Sequence, residues 1–380
     1  MKIAIFSPWA ISDESIGGTE RFVFDLATGL SKEGVAVEVF MLSGKDFEQG
    51  NVRFRSLNIL GSHKIANEFD LRNLFGDFSK LARYKDFAKK VEALVDIDSF
   101  DIILSNSLLL LRAWPAKRRV FVIHTNPFEF EQDWGSNGYR AMVNVLAEEA
   151  RNRRTVIVAP SRYYANVYSN LANIEVVTLP HAIDSTRLSM PDIKASTQKQ
   201  FGLNPTLTTV LVPGRLEPLQ KRPRLVLEAL MLLPAAQRYR YQLVLSGLDS
   251  HYGNEADELH RFAQQQGIPI VIRAFKDMAE AYSLSDIVVL PSRSESFGYT
   301  ALESLSLGIP TILNAIPSYK EIAEDAHNVI FFENDVDSLA NSILQLPDTL
   351  HRCYQPLAWK KRYSSGDWTK SYVDLFNAIG

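Results

Sequence analysis

Two glutamates eight residues apart, Glu295 and Glu303, stand in the segment Ser292-Arg293-Ser294-Glu295-Ser296-Phe297-Gly298-Tyr299-Thr300-Ala301-Leu302-Glu303. A carboxylate offers two acceptor oxygens, which suits the vicinal hydroxyl donors of a sugar ring. Upstream, Gly214-Arg215-Leu216-Glu217-Pro218-Leu219-Gln220-Lys221 puts two cations into one short stretch. A guanidinium presents a planar fork to two phosphate oxygens and an ammonium acts as a mobile point charge, so Arg215 and Lys221 suit a diphosphate. There they would hold negative charge as it grows on a departing phosphate group. Taken together, these residue types point to a sugar-nucleotide site.

The elements that must position them are legible nearby. Asp286-Ile287-Val288-Val289-Leu290-Pro291 is short, β-branched and ended by proline, which reads as a buried strand. Ala301, Leu302 and Leu305 then recur at helical spacing until Gly308 and Pro310. Glu295 therefore falls in a strand-to-helix loop and Glu303 in the following helix, at the carboxyl edge of a parallel sheet, where open α/β folds bind ligands. The backbone amides of Ser296, Phe297 and Gly298 would point out of the helix start as a cradle for diphosphate. A plainer account exists. Ser292-x-x-Glu295 and Thr300-x-x-Glu303 both fit the capping-box pattern, and Arg215 could lie in a solvated loop against Glu217.

Along the chain, short strand-like runs alternate with helical patterns. The first half has Lys2–Phe6, Ala36–Leu42, Asp101–Ser105, Val120–His124, Thr155–Ala159 and Ile174–Leu179. The second has Thr209–Pro213, Tyr241–Leu245, Pro269–Arg273, Asp286–Leu290, Pro310–Leu313 and Asn328–Phe332. Such alternation predicts parallel strands with crossover helices. Helices are expected from about Thr19 and over about Leu71 to Val95, and the polar stretch from about Asp184 to Thr208 reads as a domain junction. At 380 residues two domains are the default. The tail from Pro356 carries Trp359, Tyr363, Trp368, Tyr372, Leu375 and Phe376, too much apolar surface for a free end.

The glutamate, seven residues, glutamate segment resembles the signature of retaining glycosyltransferases of the GT-B fold, glycosyltransferase family 4, also called glycosyl transferases group 1. The Gly214, Arg215 and Lys221 stretch is similar to the family's phosphate motif, except that Arg222 stands where a glycine is usual. The resemblance implies an α/β fold of two Rossmann-like doubly wound parallel-sheet domains facing across a cleft. Residues 1–183 would form the acceptor-binding domain, 184–357 the nucleotide-sugar donor domain, and the tail 358–380 would cross back onto the first. It also implies residue roles: Glu295 beside the transferred sugar, Glu303 on the ribose hydroxyls, Ser296, Phe297, Gly298 and Thr300 around the donor, and base contacts near Phe275. Gly17-Gly18-Thr19-Glu20 resembles the family's N-terminal glycine-rich loop, which gives Gly18 a donor contact; read without the family, it is a glycine turn with Thr19 as N-cap. His124, at the end of a strand, matches a family histidine that orients the sugar, although a lone strand-end histidine is usually structural. His181-Ala182 stands where the family has asparagine-glycine, so the turn there is open to question and His181 reads as structural.

The implied activity is transfer of a hexose from a nucleoside-diphosphate sugar to a hydroxyl of a glycan, a lipid-linked precursor or a small molecule, with no cofactor and no metal. Two rivals stay open: a nucleotide-sugar epimerase of the same fold and a non-catalytic nucleotide-sugar-binding subunit.

Bulk properties set further bounds. A composition 46% hydrophobic and 22% charged is that of an ordinary globular protein, and a net charge of −3 argues against nucleic acid as a partner. Cys353 is the single cysteine, which fits a reducing compartment. Met1 runs straight into a strand-like segment with no room for a signal peptide, so a cytoplasmic location is expected. Basic groups at Lys80 to Lys90, Lys117-Arg118-Arg119 and Arg151 to Arg154 are either solvated faces or a patch docking on an anionic inner leaflet. Asp96-Ile97-Asp98 precedes a strand's amino end, the wrong edge for a site.

Overall fold

The computed structural model describes residues 1–11, 17–59, 81–184, 188, 195–247, 254–275, 277–346 and 352–379. They form two compact units, Met1–Ala182 with Tyr363–Gly380, and Ile183–Arg362.

The first unit is built on eight strands, β1 (Lys2–Ser7), β2 (Ala36–Met41), β3 (Phe47–Gln49), β4 (Val52–Ser56), β5 (Ile102–Ser105), β6 (Arg118–Val122), β7 (Thr155–Ala159) and β8 (Val177–Thr178). Their order is β3-β4-β2-β1-β5-β6-β7-β8, parallel throughout except for the β3–β4 pair. The central strands are apolar on both faces because helices cover both, and Ile3 to Phe6 are fully buried. The hairpin β3–β4 was not expected from the pattern. Its alternation is short and half-exposed, and it is pinned by a Phe47–Phe54 stack with centroids 4.3 Å apart.

The second unit carries β9 (Thr208–Pro213), β10 (Tyr241–Ser246), β11 (Ile270–Arg273), β12 (Ile287–Leu290), β13 (Thr311–Asn314) and β14 (Val329–Phe332) in the order β11-β10-β9-β12-β13-β14. Every pair is parallel. Strand β9 lies between β10 and β12, with Val210 opposite Ile287 and Leu211 opposite Val288. Strand order reverses here, so the connections leaving β9 and β12 pass to opposite faces and open a crevice at their carboxyl ends.

The tail divides between the units. The helix Leu357–Arg362 stays with the second, where buried Trp359 donates through Nε1 to the Ile322 carbonyl at 2.8 Å. The helix Ser365–Ala378 belongs to the first and packs on the helix Gly18–Lys32. Their approach is close: a Cβ on Gly29 would lie 2.5 Å from Thr369 Oγ1.

One basic group differs from expectation. Arg119 has no exposure at all; it lies inside β6, and its Nη2 is 2.7 Å from Glu149 Oε2 and 2.8 Å from Thr155 Oγ1. Its Nη1 donates to the Leu111 carbonyl at 3.0 Å. The strand begins at Arg118 rather than Val120, and with both Nη atoms bonded inside the unit and Nε buried without a partner among the described residues, the Arg119 guanidinium adds nothing to a docking surface. Lys80 and the first part of the expected Leu71–Val95 helix lie outside the described residues, and the described helix is Leu81–Glu92. Among the described residues no helix is long and apolar enough to cross a membrane.

Candidate functional site

The connections leaving β9 and β12 meet at the switch point of the second sheet. Gly214 takes φ +128° and donates to the Ser246 carbonyl at 2.9 Å, turning the chain sharply off the end of β9. Buried Glu217 then accepts from the backbone amides of Leu219 (2.9 Å), Gln220 and Lys221 (3.0 Å). Its carboxylate is therefore occupied in shaping the loop rather than in neutralising Arg215. Arg215 is exposed and donates to Gln220 Oε1 at 3.3 Å, while Gln220 Nε2 reaches the Ser294 carbonyl at 3.2 Å, tying one loop to the other.

The Arg222 question has a structural answer. Arg222 adopts φ 51°, ψ 49°, the left-handed conformation that favours glycine, so the loop keeps the backbone a glycine would give. Its guanidinium donates to the Pro291 carbonyl from Nε (2.9 Å) and Nη2 (2.6 Å) at the end of the β12 strand. Burial, and next the neighbouring Arg293, lower its pKa below the usual guanidinium range.

Lys221 and Glu295 form an ion pair through Nζ and Oε1, with side chains 19% and 11% exposed. The hydroxyl of Tyr319, a fully buried residue, donates to the same Oε1 at 3.4 Å. Tyr319 also faces the hydroxyls of Ser292 and Thr300; burial above all, then the Glu295 charge, push its phenol well above the usual range. Glu303, 3% exposed, accepts from Tyr282 through Oε2 at 2.7 Å. Neither glutamate caps a helix. The helix Tyr299–Ser306 starts from Gly298 as N-cap with no side-chain cap, and the Gly298 carbonyl accepts from Ala301 (3.0 Å) and Leu302 (3.2 Å). The capping-box account of both glutamates therefore fails.

Gly298 sits at φ +112°, and a Cβ there would lie 2.6 Å from Tyr319 Cε1. Phe297 is buried edge-on to Tyr299 at 5.7 Å, so the Ser296–Gly298 backbone is held by packing on the far side. Phe275, two residues beyond β11, is buried in a stack with Phe201 at 6.0 Å, and the Arg273 guanidinium lies over both rings. The side chain is thus a packing element, and only the Phe275 backbone remains for a base contact. Arg215, Lys221, Glu295, Ser296, Phe297, Gly298, Thr300 and Glu303 are accordingly brought to one edge of one sheet.

Gly18 and His124 belong to the first unit. Gly18 is exposed and is the first residue of its helix, whose N-cap is Gly17 with no side-chain cap; Thr19 does not fill that role. The Glu20 carboxylate folds back over Gly17, where a Cβ would meet Oε2 at 2.0 Å. His124 follows β6, its ring 4.7 Å from Phe22 and 5.2 Å from His181. Its Nε2 is closed off from solvent and has no hydrogen-bond partner among the described residues. Burial lowers its pKa to about 3, so the imidazole is neutral near pH 7 and available for hydrogen bonding but not as a cation. His181 is 1% exposed, stacks with His124 and lies against Trp368; burial and then His124 hold its pKa well below the usual imidazole range. Ala182 does not take positive φ, so the turn there makes no demand for glycine. The helix Pro127–Arg151 begins three residues after His124.

Sequence reasoning missed Tyr282, Tyr319 and Glu217. None falls at a telling spacing, since each acts on a residue far along the chain or on backbone amides.

Two parallel doubly wound α/β units, one with paired carboxylates and cations at its switch point, are the architecture of GT-B glycosyltransferases. Comparison with known proteins supplies the family. Residues 194–351 match the sequence model described as Glycosyl transferases group 1, and residues 16–187 match Glycosyltransferase Family 4. The chain belongs to glycosyltransferase family 4 and is a glycosyltransferase. It is 25% identical over 359 residues to D-inositol 3-phosphate glycosyltransferase 2 of Catenulispora acidiphila, a match taking in 88% of this chain and 83% of that protein. It is 25% identical over 394 residues to D-inositol 3-phosphate glycosyltransferase of Stackebrandtia nassauensis, covering 96% and 86%. Among solved structures, sucrose-phosphate synthase of Thermosynechococcus elongatus superposes with TM-score 0.77 at 17% identity, covering 100% of this chain and 99% of that one. Anabaena HepE in complex with UDP and glucose superposes with TM-score 0.74 at 17% identity, covering both chains fully.

Proposed function

We propose that this protein is a retaining, metal-independent hexosyltransferase. It takes a nucleoside-diphosphate sugar on its second unit and transfers the sugar to a hydroxyl of a glycan, lipid-linked precursor or small molecule recognised by the first. The observation that carries the reading is the convergence of Arg215, Lys221 and Glu295 at the β9/β12 switch point. A diphosphate laid against the Ser296–Gly298 backbone meets both cations, which hold the charge released as the glycosidic bond breaks. Glu303 accepts from the ribose hydroxyls and Glu295 from the sugar. The acceptor hydroxyl approaches the face the phosphate leaves, and the leaving phosphate oxygen takes its proton, so configuration is kept without a second carboxylate on the opposite face. The likeness to a protein solved with UDP and glucose puts UDP-glucose first among donors to try.

Thermal-shift titration with UDP, GDP, ADP and TDP and their glucose conjugates tests the donor. Arg215→Ala and Glu303→Gln should each weaken binding of the stabilising nucleotide by roughly ten- to a hundredfold, the weight of a hydrogen bond involving a charged group. If neither variant moves the affinity, the site is misassigned. NMR of the product's anomeric proton decides the stereochemistry.

A further inference from the structure

The second unit holds each of its two site glutamates with a buried tyrosine from a neighbouring helix. Tyr282, on the helix Met278–Leu284, donates to Glu303 Oε2 at 2.7 Å. Tyr319, on the helix Pro317–Ile322, donates to Glu295 Oε1 at 3.4 Å. Both tyrosines are 0% exposed, so their rings cannot swing away without opening the core. At Glu295 the geometry is selective. Lys221 and Tyr319 converge on the same oxygen, and Oε2 has no hydrogen-bond partner among the described residues in a side chain that stays 11% exposed. One carboxylate oxygen is pinned and the other is left to accept from a ligand.

Lys221 has a competing claim on it. Any diphosphate bound at this loop draws the ammonium toward phosphate oxygens, and the ion pair then loosens. Tyr319 is held in place by burial, and of the groups around its hydroxyl, Ser292, Thr300 and Glu295, only Glu295 is a charged acceptor. It remains the donor that fixes the Glu295 carboxylate while the donor substrate is bound.

We propose that Tyr319 and Tyr282 are positioning residues with separate duties: Tyr319 orients Glu295 toward the transferred sugar and so sets turnover, while Tyr282 orients Glu303 toward the ribose and so sets donor affinity. The inference rests on the donor-site reading above. It makes the two tyrosines distinguishable by kinetics, which a purely structural role for either would not.

Tyr319→Phe and Tyr282→Phe keep the packed rings and remove only the hydroxyls. The donor is whichever of UDP-, GDP-, ADP- and TDP-glucose stabilises the wild type most, and turnover is read as release of the nucleoside diphosphate. In Y319F, kcat falls roughly tenfold while the affinity for the nucleoside diphosphate stays within about twofold. In Y282F, that affinity and the donor KM worsen by roughly tenfold, and the loss in kcat is smaller than in Y319F. Equal loss of kcat and affinity in both variants, or no loss in either, overturns the assignment. Glu295→Gln is the internal reference. If E295Q abolishes turnover and Y319F leaves kcat intact, only the positioning role fails; if the wild type binds and turns over no nucleotide sugar, the functional reading fails and takes this inference with it.

Discussion

Replacing Gly298 with alanine tests the local architecture on which the site depends. Two costs are separable. The residue sits at φ +112°, where an L-residue with a Cβ pays roughly 1–2 kcal/mol. The added Cβ would also stand 2.6 Å from Tyr319 Cε1 and 3.1 Å from Cδ1, so a fully buried ring must move, and overpacking of this kind costs about 1–3 kcal/mol. Together these give about 2–5 kcal/mol. For a unit of this size each kcal/mol lowers Tm by roughly 2–4 °C, so G298A should melt at least several degrees early. Gly267 supplies the control in the same unit: it has φ +66° and nothing within 4 Å of a built Cβ, so Gly267→Ala reports the backbone cost alone. Differential scanning calorimetry of both variants, followed by nucleotide titration, completes the comparison. Because the displaced ring is the one bonded to Glu295, G298A should also impair turnover beyond its effect on stability. A G298A protein no less stable than G267A would refute the steric argument.

Two further outcomes follow from buried charge and buried imidazole. Arg119→Ala removes one of the two guanidiniums paired with Glu149, takes the donor from Thr155 and opens a cavity in the first unit's core, and should cost about 3–5 kcal/mol; Arg119→Met fills most of that cavity but breaks the same pair, so it should cost somewhat less while staying clearly below the wild type in urea midpoint, and a Met variant as stable as the wild type would sink the ion-pair account. His124 titrates near 3 in the folded protein because of burial and near about 6.5 when unfolded, so the unfolded chain binds the extra proton between those values. Its contribution to stability is complete above about pH 6.5 and is lost toward pH 3 at about 1.4 kcal/mol per pH unit, with His181 acting in the same direction. Urea midpoints from pH 4 to 7.5 should slope less in His124→Gln than in the wild type; parallel slopes would show that the histidine charges without unfolding.

Much of this protein could be read from its residues alone. The β-branched runs and helical spacings placed nearly all the parallel strands, because a strand buried on both faces leaves an unbroken apolar signature. The glutamate spacing and the Arg215/Lys221 stretch pointed to the candidate site, since strand-to-helix connections in such sheets emerge at one edge. The exceptions share a cause. The β3–β4 hairpin is short and half-exposed, Arg119 reads as a surface charge until its buried partners are seen, and Glu217 shapes a loop through backbone amides that carry no residue code.

Only the tertiary structure paired Lys221 with Glu295, turned Arg222 into a left-handed stand-in for glycine, and set Tyr282 and Tyr319 behind the two glutamates. Local pattern records what each segment buries, and so it determines strands, helices and the edge on which a loop falls. Which oxygen meets which hydroxyl depends on strand order bringing 221 beside 295 and 282 beside 303, and that order is a property of the whole sheet.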